Sequence, residues 1–252
     1  MGELEGKVAV ITGAGSGMGK ASVKVFVREG ASVVAADISG AEVTTAEEAV
    51  AEHAEQGGQV TPVHCDVTQE PDVASLFEQA LDTYGRVDAV LNVAGIADGG
   101  LLTELSMETY DRIMDVNLRG VILGMKHGIA ALLRSGGGTV TNWSSVGGLN
   151  GAPGTSVYSA SKAGILAATR SGAVEFGEQG VRVNAICPGF ILTEIMGAMG
   201  ADLPGIREKA ALNRAGLPYE VAEVGAFLAS DRASFVTGAI IPVDGGWSAK
   251  LA

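Results

Sequence analysis

Short apolar runs rich in β-branched residues alternate along this chain with longer segments of helical periodicity. Lys7–Thr12, Ala31–Ala36, Gln59–Cys65, Val87–Val93, Thr139–Trp143, Val181–Cys187 and Ala239–Val243 read as strands. They are short and nearly continuously apolar, as strands buried on both faces are. Between them, helical patterns run from the glycine-rich turn after Thr12 to about Glu29, and over 41–56, 69–84, 106–134, 156–179 and 219–230. Strands alternating with helices imply parallel βαβ units. The pattern therefore predicts an α/β fold, a doubly wound domain over 1–252 with a mostly parallel seven-stranded sheet. Only 190–217 lacks a regular period, and irregular stretches of that length inside a compact domain usually serve function, so a substrate lid is expected there.

Composition supports a large buried core: 47 % of the 252 residues are hydrophobic and 18 % are charged. A formal charge of −12 repels nucleic acid and anionic membranes, and no Lys/Arg cluster offsets it locally. The first six residues carry two glutamates and no basic region, and Val8–Ile11 is too short for a signal peptide or a membrane span, so a cytoplasmic location is expected. Cys65 and Cys187 stand alone inside apolar runs, and His53, His64 and His127 have no metal-ligand spacing, so no metal site is expected.

The first strand runs straight into Gly13-Ala14-Gly15-Ser16-Gly17-Met18-Gly19 and a helix. Glycines let the backbone approach a pyrophosphate, and the free amides at a helix start supply donors and a favourable dipole, which makes the fold Rossmann-type. Asp37 ends the second strand about twenty residues on, where an acid can bind a ribose hydroxyl. Asp66-Val67 closes the third strand, with Asp66 equally readable as a helix cap. Asn92-Val93-Ala94-Gly95 closes the fourth, and its small residues suggest a close approach of the backbone. Asn117 lies inside a long helical pattern, a place where asparagine either faces solvent or marks a local break. Ser145 follows the fifth strand, at the sheet end where ligands bind. Tyr158 and Lys162 are four apart on a helix, a spacing that sets an ammonium near a phenol and favours the phenolate.

These motifs, in this order and over nearly the whole of Lys7–Gly246, resemble the short-chain dehydrogenase/reductase family in its single-domain form. The resemblance implies a catalytic tetrad of Asn117, Ser145, Tyr158 and Lys162. It also implies a nicotinamide cofactor held by Gly13, Ser16, Gly17, Met18, Gly19, Asp37, Ile38, Asp66, Val67, Asn92, Ala94, Gly95, Tyr158, Lys162, Pro188, Gly189, Ile191 and Thr193. In the implied mechanism Tyr158 takes the alcohol proton while hydride passes to the nicotinamide, and Ser145 holds the substrate oxygen. Lys162 lowers the tyrosine pKa, and Asn117 holds a water that links the lysine to solvent. Asp37, with Ser16 and Ile38 where NADP-preferring relatives carry a basic residue, points to NAD. The family's usual Asn-Asn-Ala-Gly appears here with Val93 in place of the second asparagine. A small neutral alcohol or ketone is the expected substrate, and a homotetramer the expected assembly. A reductase of 3-oxoacyl groups on acyl carrier protein is the alternative within enzymes, and a non-catalytic nucleotide-binding regulator the alternative outside them.

Overall fold

A computed structural model describes residues 2–53, 58–193 and 205–250. The strands are β1 Val8–Thr12, β2 Ser32–Asp37, β3 Val60–His64, β4 Ala89–Asn92, β5 Gly138–Trp143, β6 Val181–Pro188 and β7 Ile240–Val243. They form one sheet in the order β3-β2-β1-β4-β5-β6-β7. All six pairings are parallel, so the expected mostly parallel sheet is parallel throughout. The helices are α1 Gly17–Arg28, α2 Glu42–Glu52, α3 Glu70–Tyr84, α4 Met107–Met114, α5 Gly120–Arg134, α6 Ser156–Phe176 and α7 Pro218–Ala229.

Strand residues alternate between two cores because successive side chains point to opposite faces. Ala9, Ile11, Val33, Ala35, Ala89 and Leu91 pack with Val23 and Phe26 of α1 and Val221 and Leu228 of α7. Their neighbours Val10, Val34, Val90, Val140 and Val183 pack with Leu76 of α3, Leu132 of α5 and Ile165 of α6. Sequence order reverses where β1 lies between β2 and β4, which opens a crevice at the carboxyl ends of the strands.

One expectation changes, and two fall partly outside the described residues. The single helix over 106–134 is two helices, α4 and α5, joined by a π-helical segment, Asp115–Arg119. The helix expected over 41–56 ends at Glu52, and its last residues fall outside the described ones. Of the lid expected over 190–217, residues 194–204 lie outside the description, and its described part holds a helical turn at Ile206–Lys209 and a parallel bridge from Ile191 to Gly216. Met107–Arg134 is long and apolar enough to cross a membrane by composition, but 56 % of its apolar window is buried inside the fold, as in a core helix.

Candidate active site

The glycine turn forms a cradle that side chains cannot enter. Gly13 has φ +70° and Gly17 φ +51°, conformations that disfavour any residue with a Cβ. A Cβ on Gly13 would lie 2.8 Å from the Ala94 backbone, and one on Gly19 would lie 1.8 Å from the Gly13 carbonyl. Thr12 Oγ1 accepts from the amides of Val93 (3.2 Å) and Ala94 (3.3 Å), tying this turn to the end of β4. Ser16 is exposed and its side chain does not cap α1, which leaves the first-turn amides without a capping side chain among the described residues. Met18 turns its side chain into the α1 core. A cavity of about 220 Å³ opens beside Gly17, lined in part by Lys20, Leu192, Thr193 and Pro218. These features fit the pyrophosphate of a dinucleotide.

Asp37 closes the cradle. Its Oδ2 accepts from the Gly15 amide at 2.9 Å, and its Oδ1 accepts from the Ser39 amide at 2.9 Å and the Ser39 hydroxyl at 2.7 Å. Ser39, which belongs to no motif of the sequence, fixes this carboxylate. Ile38 beside it is 59 % exposed. Asp66 Oδ1 accepts from the amide and hydroxyl of Thr68 in the turn before α3, whose N-cap position is Gln69, so Asp66 is not the helix cap that the sequence equally allows; Val67 packs against Gly120.

Two further cofactor candidates have their side chains inside the protein. Asn92 Nδ2 donates to Asn142 across the β4–β5 pairing at 2.8 Å, and Ile191 belongs to the α1–α7 core. Either could meet a cofactor only through its backbone. Pro188 and Gly189 lie at the end of β6, where the Gly189 amide bonds the Val243 carbonyl and a Cβ would touch Asp244. Thr193 lies against Gly17, so the segment after β6 reaches back to the cradle.

At the other end of the crevice the four residues expected to form the tetrad lie together. Ser145 is extended at the start of a 3-10 turn, and its Oγ accepts from the Gly147 amide at 3.0 Å. Gly147 lies between that hydroxyl and the Tyr158 ring, and a Cβ there would come 3.1 Å from the ring. Lys162 is buried with Nζ 5.9 Å from the Tyr158 ring centre, donating to the Trp143 carbonyl at 3.0 Å. Ser144 Oγ donates to the Lys162 carbonyl, and Ser161 Oγ to the Tyr158 carbonyl, locking the first turns of α6. Gly95 meets both Lys162 Nζ (3.1 Å) and Asn117 Oδ1 (3.2 Å) at the place a Cβ would occupy. Asn117 is fully buried in the π-helical segment, so the break and not the solvent-facing alternative is observed. Its Oδ1 accepts from the Ile96 amide and its Nδ2 donates to the Ile96 carbonyl.

The electrostatics differ from the expectation in one respect. Burial pushes the Tyr158 phenol above its ordinary 10, and the nearby Ser145 hydroxyl only partly opposes this. Burial also pulls the Lys162 ammonium down to about 8. The expected lowering of the phenol by Lys162 is not among the effects that act on Tyr158, where desolvation dominates. Cys187, beside Lys162 and Ser144, is likewise raised by burial.

The family model described as enoyl-(acyl carrier protein) reductase matches residues 13–248. A crystal structure of a short-chain type dehydrogenase/reductase from Mycobacterium marinum superposes with TM-score 0.91 at 33 % identity, covering 98 % of this chain and 97 % of that one. The chain belongs to the short-chain dehydrogenase/reductase family. Among curated relatives of this family, the 3-oxoacyl-[acyl-carrier-protein] reductase FabG of Thermotoga maritima is 40 % identical over 248 residues, 96 % of this chain and 98 % of that protein. The meso-2,3-butanediol dehydrogenase of Serratia marcescens is 40 % identical over 250 residues, 98 % of this chain and 96 % of that protein. Family membership makes the chain an oxidoreductase of CH–OH groups that uses a nicotinamide cofactor.

Proposed function

We propose that the protein interconverts a neutral secondary alcohol and its ketone with NAD as the preferred cofactor, in one catalytic domain in the cytoplasm. The observation that carries this reading is the convergence of the Ser145 hydroxyl, the Tyr158 ring and the buried Lys162 ammonium at the open end of the glycine cradle. The nicotinamide, when bound, supplies the hydride acceptor or donor. Ser145 orients the substrate oxygen, and Tyr158 takes its proton in oxidation or gives one in reduction. Lys162 supplies positive charge behind the phenol and a donor for the nicotinamide ribose. Both polar ends of the Asn117 side chain are engaged by Ile96, so a relay water would rest on the main-chain carbonyl that the π-helical break frees.

Asp37 carries the NAD preference, because a 2'-phosphate there would meet a carboxylate. The basic side chains of the neighbouring helix are engaged elsewhere: Lys20 pairs with Glu48, and Arg28 with Glu29 and Glu223. A panel of neutral alcohols assayed with each cofactor tests both claims. NAD should give the higher kcat/KM, and Asp37→Ala should narrow the ratio. A parent enzyme that favours NADP would defeat the assignment.

The matched family description and the FabG relative support a second reading, reduction of a 3-oxoacyl thioester on acyl carrier protein. The net charge of −12 disfavours docking an acidic carrier, and Val174, 85 % exposed, stands where such enzymes often carry an arginine. Rapid NADPH-dependent reduction of an acetoacetyl carrier, with no turnover of free alcohols, would select this reading instead.

A further inference from the structure

The segment that follows Gly95 does more than approach Lys162. From Ile96, pinned to Asn117, it runs along the start of α6 and meets the loop that leads into that helix: the Gly100 amide donates to the Gly154 carbonyl at 3.0 Å. Gly99 lies so close to that carbonyl that a Cβ would fall 2.0 Å from its oxygen. Gly154 adopts φ +77°, which aims its carbonyl at the partner loop at little cost only for glycine. Asp98 holds the same segment from the other side, accepting from the Gly99 amide at 2.7 Å and pairing with Arg112 of α4. The segment after β4 and the loop that leads into α6 are thus joined, backbone to backbone, four residues before Tyr158 in the chain.

We propose that the Gly99–Gly154 seam closes the substrate cleft on the α4 side and makes Gly99 a specificity-determining residue, limiting substrates to alcohols that fit between the seam and Ser145. The inference rests on the alcohol-oxidoreductase reading above. It does not follow from the tetrad, which would serve an open cleft equally well.

The test compares Gly99→Ala with Gly100→Ala. The two substitutions stiffen adjacent positions alike, but a Cβ on Gly100 meets nothing within 4 Å, so only the first must part the seam. Cyclohexanol and the two-ring 2-decalol serve as small and bulky probes, with amide hydrogen exchange at Gly100 as a readout independent of turnover. In the parent and in Gly100→Ala the residue-100 amide should be protected and cyclohexanol preferred. In Gly99→Ala protection should be lost, and the ratio of kcat/KM for 2-decalol to cyclohexanol should rise about tenfold with nucleotide affinity unchanged. An unprotected Gly100 amide in the parent overturns the seam whether or not any alcohol reacts. Equal ratios in the two variants, or a Gly99→Ala enzyme that loses both substrates alike, overturns its role in specificity. A protected amide in a parent inert toward both alcohols would count against the alcohol reading and remove the specificity claim with it, leaving the seam as structure only.

Discussion

Lys162 holds a charge at a place where the protein provides one carbonyl oxygen and little water. Its folded-state pKa of about 8 lies below the 10.5 of a free lysine, so the folded protein gives up this proton before the unfolded chain does. Below pH 8 the cost of the buried charge, about 3 kcal/mol, is carried in full. Between 8 and 10.5 the unfolded state binds more protons, and stability rises with pH. Lys162→Met should therefore gain Tm over the parent most clearly at pH 7, offset in part by the orphaned Trp143 carbonyl, and the advantage should shrink from pH 8 to 10. Calorimetry in the absence of nucleotide measures it, and a difference that grows with pH would refute the assignment. The same burial keeps Tyr158 in its acid form at neutral pH. Ketone reduction, which needs the proton, should weaken as pH rises through the alkaline range, and alcohol oxidation should strengthen. Tyr158→Phe should lower turnover about 100- to 10,000-fold, a general acid–base contribution, while leaving nucleotide affinity nearly intact. Stopped-flow turnover and fluorescence titration separate the two, and a phenylalanine variant with parental turnover would end the proton-transfer role.

Between α4 and α5 the chain inserts a π-helical turn, and that turn decides which way Asn117 points. In an unbroken helix the residue would follow the periodicity of its neighbours; here it is buried and holds Ile96 by amide and carbonyl, with a further contact to Ser161 at 3.3 Å. Asn117→Leu should orphan both backbone groups of Ile96 at a cost of about 2 to 4 kcal/mol. In a chain of this size that is a fall in Tm of roughly 5 to 15 °C. The Ile96 amide should also lose exchange protection, and an unchanged Tm would show that this pair does not hold the turn. The break was half legible in the sequence: the poor helix propensity of asparagine flagged the position, but the extra residue of a π turn leaves no period long enough to read. Strands were legible because burial on both faces leaves continuous apolar runs, as in Val8–Ile11. Glycine spacing and Asp37 were legible because the cradle excludes side chains. Ser39 and Ser144 were not legible as site supports, since a hydroxyl that bonds a neighbouring carboxylate or a distant backbone group carries no local signature. The inward turn of Asn92 depends on Gly124 of the facing helix, where a Cβ would collide with the Asn92 oxygen. No pattern within β4 reveals that.

At the scale of the whole molecule, the small residues of α6 divide between two environments. Ala173 is buried against the subunit's own core and Gly238, whereas Ala160, Ala163 and Ala167 are exposed and share one helical face. Val174 on the same helix is 85 % exposed, Ile122 on α5 is 43 % exposed, and Phe235 is fully exposed. Single exposed apolar side chains are ordinary, but a small-residue face flanked by uncovered Val and Ile side chains suits close helix packing across a symmetric interface. The proposed homotetramer would cover them, each interface removing about 800 Å² from each partner. Light scattering should then report about four times the 25.5 kDa chain mass. Ala167→Arg places a bulky charge on that face five residues beyond Lys162, and it should lower the assembled mass while the far-ultraviolet circular dichroism of the subunit is retained. A parent protein that scatters as a monomer at assay concentration would remove the tetramer. A parent tetramer whose mass is unaffected by Ala167→Arg would move the interface off α6 and leave those alanines explained by the helix alone.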